Sequence, residues 1–157
     1  MRKIALTNSD LVVLVDAADY EWLSRWNWQL SDSGYAFRCD SRRPARNVWM
    51  HREINQTATG LYTDHSKGNK LDNRRTKIRT ATKSQNQANS RIYQRRGRQS
   101  KFKGVTWHKK AGKWAAQIML NGKNYYLGLF TVEIDAAKAY ACAAKCLFED
   151  FACVGRE

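Results

Sequence analysis

The sequence has no long hydrophobic segment. Its aliphatic run LVVLV at 11–15 falls far short of the roughly 20 apolar residues that a membrane-spanning helix needs. No charged-then-apolar segment opens the chain, so neither a membrane anchor nor a secretory signal is expected and the protein is read as intracellular and cytoplasmic. Cysteine is sparse: Cys39, Cys142, Cys146 and Cys153, with no CxxC pair. That spacing gives no support to a disulfide framework or a zinc site. Cys142 and Cys146, one helical turn apart in an alanine-rich stretch, are expected to be small buried hydrophobes. Acidic residues are scarce too, 14 Asp and Glu against 28 Lys and Arg, a net charge of +14 on 157 residues. Each phosphate neutralised by a cation releases a counterion, so this excess favours a polyanionic partner, with nucleic acid ahead of a membrane surface.

Three stretches differ in pattern. Residues 1–50 alternate apolar and polar in short runs: LVVLVD (11–16), then WNWQLS (26–31) and GYAFRCD (34–40) joined across Ser-Asp-Ser-Gly as a hairpin. Between them AADYEWLSRW (17–26) places Tyr20, Leu23 and Trp26 near one helical face. Trp22, Trp26, Trp28 and Trp49 are expected to build a small aromatic core rather than to stack on bases. Residues 51–99 are polar and end in RIYQRRGRQ, where Arg95 and Arg96 can track phosphates from a basic linker over 92–99. In 100–153, KGVTWHK, KWAAQIML and KNYYLGLF read as three strands, with turns at Lys110-Ala-Gly112 and Leu120-Asn-Gly122. A helix follows over 132–148, with Thr131 as its N-cap and Glu133 and Asp135 favouring its positive end. The expected fold is α+β, with a first domain over 1–91 that includes the sheet module 1–50, the linker 92–99, and a second domain over 100–157.

The KGV opening, the KWAAQI strand, the LGLF close and the DAAKAY helix of the second domain closely resemble the plant ethylene-response-factor (AP-two type) DNA-binding domain. In that family a three-stranded sheet lies in the major groove of double-stranded DNA and the helix braces it. The resemblance therefore implies contact roles for Lys103, Thr106, His108, Lys113, Gln117, Met119, Asn124 and Tyr126. Several of these stand where the plant proteins have arginine or tryptophan. Thr, Met and Asn cannot fork onto guanine as Arg does, so the plant recognition sequence does not carry over.

Upstream, GLYTDHS (60–66), the polar loop SKGNKLDNR, KIRTAT (77–82) and KSQNQANSRIY (83–93) read as strand, loop, strand and helix. That order, with Asp-His on the first strand and Asn on the helix, resembles the ββα-metal fold of HNH endonucleases. The likeness is to phage and intron-encoded HNH homing nucleases that carry an AP-two-type domain behind the nuclease. LVVLVDAADYEWLSRWNW, GYAFR and VWMHREI resemble the amino-terminal module of that group.

The resemblance implies a metal-dependent DNA endonuclease, one that nicks a single strand because it has one such site per chain. His65 would be the general base, since imidazole is substantially neutral near pH 7. Asp64 and Asn86 would be the metal ligands, hard oxygen donors suited to Mg²⁺ or Mn²⁺. The family places an asparagine twelve residues after the base, where it accepts a hydrogen bond from the histidine. Lys77 stands there instead, and lysine has no acceptor to offer. Asn73 or a backbone carbonyl is then the candidate for orienting His65. Arg52, Arg74, Arg75 and Arg79 are expected on phosphate oxygens, onto which guanidinium forks. His51 is expected to be a packing or phosphate-side residue. Because Asp64, His65 and Asn86 are all retained, the endonuclease reading is preferred. The alternative, raised by Lys77, is a catalytically impaired HNH-like protein that acts by occupying DNA, as a repressor or as an inhibitor of another nucleic-acid enzyme. RNA binding is weaker, because the strand aromatics form no clear stacking motif.

Overall fold

The computed structural model describes residues 1–41, 45–90 and 99–153. The chain divides into two compact units, 1–82 and 83–157. The sequence places the boundary later, at about 92–100.

In the first unit, β1 (Arg2–Leu6) pairs antiparallel with β2 (Ser9–Val15), and α1 (Ala17–Leu23) follows. A three-stranded antiparallel sheet comes next: β3 (Gln29–Leu30), β4 (Ala36–Asp40) and β5 (Arg46–Trp49), in spatial order. It leads into α2 (Met50–Asn55) and the hairpin of β6 (Tyr62–His65) with β7 (Ile78–Ala81). Strand β1, strand β5 and helix α2 are additions to the elements read from the sequence. Their short polar-rich segments carry too few apolar positions to display a period.

The core gathers Val13 and Val15 of β2, Leu23 of α1, Trp28, Ala36, and Met50 and Ile54 of α2. Trp28 is fully buried, and its Nε1–H donates to the Leu23 carbonyl at 2.8 Å. Trp22 packs partly against the same core. Trp26 departs from the expected core: it is exposed, with the Arg38 guanidinium 4.1 Å from its ring centroid.

In the second unit, α3 (Lys83–Asn89) precedes an antiparallel sheet of β8 (Val105–His108), β9 (Lys113–Leu120) and β10 (Lys123–Phe130), with β9 central. The long helix α4 (Glu133–Phe148) then packs on the sheet. These three strands and the helix lie where the alternating pattern places them. The helix N-cap is Val132 in extended conformation with no side-chain cap bond, rather than Thr131. The apolar positions of α4, Ala136, Tyr140, Ala144 and Phe148, are buried, and Ala88 of α3 joins Ile118, Tyr140, Ala144 and Phe148 in one cluster. Gly104 has φ +70°, and a Cβ there would run into the Tyr140 ring and the Gln117 carbonyl, so only glycine lets the strand approach the helix this closely.

Cys142 and Cys146 are exposed, contrary to expectation. They take positions between the buried Tyr140, Ala144 and Phe148 repeat, on the solvent side of α4. Among the described residues no helix is long and apolar enough to cross a membrane.

Candidate functional site

Strand β6 carries Asp64 and His65, both buried. His65 pairs in register with Ile78 of β7, and Asp64 with Arg79. The intervening loop folds back against β2. The Leu14 N–H donates to the Leu71 carbonyl and the Asn73 N–H to the Leu14 carbonyl, each at 2.8 Å, with a parallel bridge between Leu14 and Asp72. Lys70 ties the same loop to the β3–β4 turn: its Nζ donates to the Ser33 carbonyl at 2.8 Å and sits 4.7 Å from the Tyr35 ring centroid.

This docking brings Asn73, which is 0% exposed, onto His65, with Oδ1 2.8 Å from Nε2. An amide oxygen can only accept, so Nε2 carries the proton in this pair and the ring lone pair lies on Nδ1. Lys77 takes a different place. Its carbonyl accepts from the Ser66 N–H at 2.9 Å and the Ser66 hydroxyl at 3.2 Å, which pins the residue following His65.

Two rings complete the surroundings of His65. Tyr35 lies 5.8 Å and His51 5.3 Å from it by ring centroids, and they are 5.0 Å from each other. Tyr35 is just ahead of β4 and His51 is the second residue of α2. Sequence reading assigns His51 a packing or phosphate-side role, through the resemblance of VWMHREI to the amino-terminal module of the nuclease group, and does not single out Tyr35.

Burial is the largest effect on the His65 ring and pushes its pKa below the usual value, against the Asn73 hydrogen bond and the Asp64 charge, which act to raise it. His51 is lowered to about 3, by burial first and then by the charges of His65 and Arg52. Its Nδ1, like Asn73 Nδ2, is buried without a hydrogen-bond partner. Leaving a buried donor or acceptor unmet costs about 1–3 kcal/mol.

The sign of the His51 shift fixes a stability prediction. An imidazole that stays neutral in the fold but protonates below about 6.5 when unfolded contributes stability that is fully present above that pH and is lost as the pH falls. Unfolding free energy measured in denaturant should fall by about 1.4 kcal/mol per pH unit for this residue between pH 6.5 and 4. In His51→Phe the slope should be smaller by that amount; an unchanged slope contradicts a neutral buried His51.

The arginines expected on phosphates are committed to internal acceptors. Arg79 Nε donates to Asp64 Oδ2 at 2.9 Å. Arg74 forks onto both oxygens of Asp72 at 2.7 and 2.6 Å, and Arg75 onto both oxygens of Asp19 at 2.9 and 2.7 Å. Arg52 donates to the Leu61 carbonyl at 3.1 Å. In so basic a chain the few carboxylates collect guanidinium partners, and these pairs tie β7 and the loop to the rest of the first unit. Arg95 and Arg96 lie outside the described residues.

The Asp64 carboxylate has suitable chemistry for Mg²⁺, and Arg79 already shares it. Among the described residues no three His, Cys, Asp or Glu side chains gather as a metal cluster. Asn86 sits on α3, which belongs to the second unit. Helix α3 is fixed there by Ser84 Oγ, which accepts from the Asn121 N–H at 3.0 Å, and by Lys103.

Lys103 differs from its expected groove role. Its Nζ donates to the carbonyls of Gln87, Ala88 and Ser90 at 2.9, 2.6 and 2.8 Å, closing the carboxy-terminal end of α3, and burial lowers its pKa. Cations at helix carboxyl ends satisfy carbonyls that have no other partner. Lys103→Met should therefore lower the unfolding free energy of the second unit by about 1.5–3 kcal/mol. An unchanged transition would contradict the clamp.

The other expected contact residues do share one face. The register pairs Thr106 with Ala115, His108 with Lys113, Gln117 with Tyr126 and Met119 with Asn124, and alternation along each strand puts them all on the side of the sheet away from α4. Val105, Ala116 and Ile118 occupy the opposite face and are buried. The outer face is open, with Met119 54% and Tyr126 64% exposed.

A family profile described as AP2 domain matches residues 100–149. The second unit carries an AP2 domain. Over 47 residues, 29% of the chain, the sequence is 57% identical to APETALA2-like protein 2 of Oryza sativa, in both the indica and japonica subspecies, and it covers 11% of those proteins' length. It is also 28% identical over 132 residues to an uncharacterized HNH endonuclease of Acanthamoeba polyphaga mimivirus, across 83% of this chain and 67% of that protein. Together these matches support an HNH-plus-AP2 architecture. No solved structure gives a significant match.

Proposed function

We propose that this chain is an HNH-type DNA endonuclease that engages double-stranded DNA through its AP2 domain and nicks it with His65 as general base. The observation that carries this reading is the buried His65–Asn73 pair, with Nε2 and Oδ1 2.8 Å apart beside the buried Asp64. Asn73 takes the orienting role that Lys77 cannot. By accepting from Nε2–H it fixes the tautomer with the basic lone pair on Nδ1, the nitrogen that receives the proton of the attacking water. Burial keeps that ring neutral near pH 7. Tyr35 and His51 bear on the ring from the sheet module and restrict its plane. Asp64, a hard oxygen donor on β6, would contribute to holding Mg²⁺ or Mn²⁺. When bound, the ion would supply charge stabilisation at the scissile phosphate and its leaving oxygen.

The ion pair between Asp64 and Arg79 favours a second reading. A guanidinium on the carboxylate expected to meet the metal suits a protein that occupies DNA without cutting it, as a repressor or as an inhibitor of another nucleic-acid enzyme. Supercoiled plasmid incubated with Mg²⁺ or Mn²⁺ separates the two. Open-circular product that disappears with EDTA supports the nuclease. Intact plasmid with both metals, at protein concentrations that retard DNA in a gel, supports occupancy.

A further inference from the structure

The outer face of the AP2 sheet carries its own selectivity. Among the described residues it has no arginine, the side chain that forks onto the O6 and N7 acceptors of guanine. In place of one it has two amides that are bonded to each other: Asn124 Nδ2 donates to Gln117 Oε1 at 2.8 Å. The pairing of Tyr126 with Gln117 and of Asn124 with Met119 sets these two amides diagonally across β9 and β10, on the same exposed side.

Resting on the DNA-binding reading above, we infer that Gln117 and Asn124 act as one unit that reads the major-groove edge of adenine in an A·T pair. The bond between them uses one donor of Asn124 and one lone pair of Gln117. The pair still presents the Gln117 amide N–H groups as donors beside the Asn124 carbonyl as acceptor. Adenine offers the complementary set, N7 to accept and N6–H to donate, side by side. Guanine offers two acceptors there, so the Asn124 oxygen would face O6 with no proton between them. The mutual bond also fixes two otherwise mobile side chains before binding, which reduces the ordering cost when DNA arrives. Met119 stands opposite Asn124 and Tyr126 opposite Gln117, both largely exposed, and they supply apolar surface for the thymine methyl group in the same groove. Lys113 on the same face provides a phosphate contact that positions the sheet without selecting a base.

The test is selection of bound duplexes from a random pool by the full chain in EDTA, which keeps any cleavage from distorting the result. The bound pool should converge on at least one A·T position. Replacing that adenine by 7-deazaadenine should weaken wild-type binding by roughly tenfold, the scale of one base-edge contact. Gln117→Ala with Asn124→Ala should remove both the preference and the 7-deaza effect, with little change in thermal stability because Asn124 is exposed, Gln117 is only half-buried, and neither belongs to the buried core. Gln117→Arg should move the preference at that position toward G·C. The inference is overturned if every constrained position is G·C, or if the A·T preference survives the double substitution. A chain that retains no duplex at all overturns the DNA-binding reading, and this assignment with it.

Discussion

His65→Ala should lower the rate of plasmid nicking by roughly 10²–10⁴-fold, the usual contribution of a positioned general base, while gel retardation of the same DNA stays at the wild-type level. The separation follows from the division of the chain. His65 belongs to the first unit and the AP2 sheet to the second, and each has its own buried core. Nicking should also persist to lower pH than an unburied histidine would allow, because burial holds the His65 ring neutral below its ordinary pKa. A rate unchanged in His65→Ala would mean that the base lies elsewhere. Loss of DNA binding in the same variant would mean that the two activities are not separable.

Asn73→Ala should have the second largest effect, with Lys77→Asn as its contrast. Removing the acceptor from Nε2–H lets the imidazole sample both tautomers and turn in its pocket. In the serine-protease triad, altering the group that orients the histidine costs about ten-thousand-fold, and a loss of about a hundredfold or more is expected here. Lys77→Asn should change the rate by less than about tenfold, because the carbonyl of residue 77, which any side chain leaves in place, is what secures Ser66. The pair of variants is decisive by its ordering. If Lys77→Asn sharply accelerates cleavage while Asn73→Ala is neutral, position 77 rather than Asn73 governs the base. Nitrogen NMR shifts of the His65 ring give a readout independent of cleavage: one tautomer protonated at Nε2 in the wild type and in Lys77→Asn, and a mixture in Asn73→Ala.

The second unit was legible in the sequence because its segments carry clear local signals. The runs KWAAQIML and KNYYLGLF are rich in β-formers and bounded by turn residues, which marks them as strands, and the outward positions named by the family resemblance, Thr106, His108, Lys113, Gln117, Met119, Asn124 and Tyr126, fall on one face of the sheet. Lys103 escaped that reasoning because it precedes β8, outside the strands, and because its partners are carbonyls at residues 87, 88 and 90, which no side-chain pattern reveals. The hairpin carrying Asp64 and His65 was also readable. The partners of those two residues were less so. Asn73 reaches His65 only because its loop is hydrogen-bonded to Leu14, a contact across 59 residues of sequence that depends on the fold. Tyr35 and His51 reach the His65 ring through tertiary packing that no local pattern reveals, although the strand carrying Tyr35 was itself readable. The arginines illustrate a different limit: composition predicts that basic side chains seek phosphate, but it does not say which of them first meet the scarce carboxylates Asp19, Asp64 and Asp72.

The central claim is that His65, held by Asn73, cuts DNA. Its most direct test is the conversion of supercoiled plasmid by the purified full chain with Mg²⁺ or Mn²⁺, compared with the same protein in EDTA. Open-circular DNA should accumulate with time and only with metal. Plasmid left supercoiled with both metals, under conditions where the protein demonstrably binds it, would contradict the account.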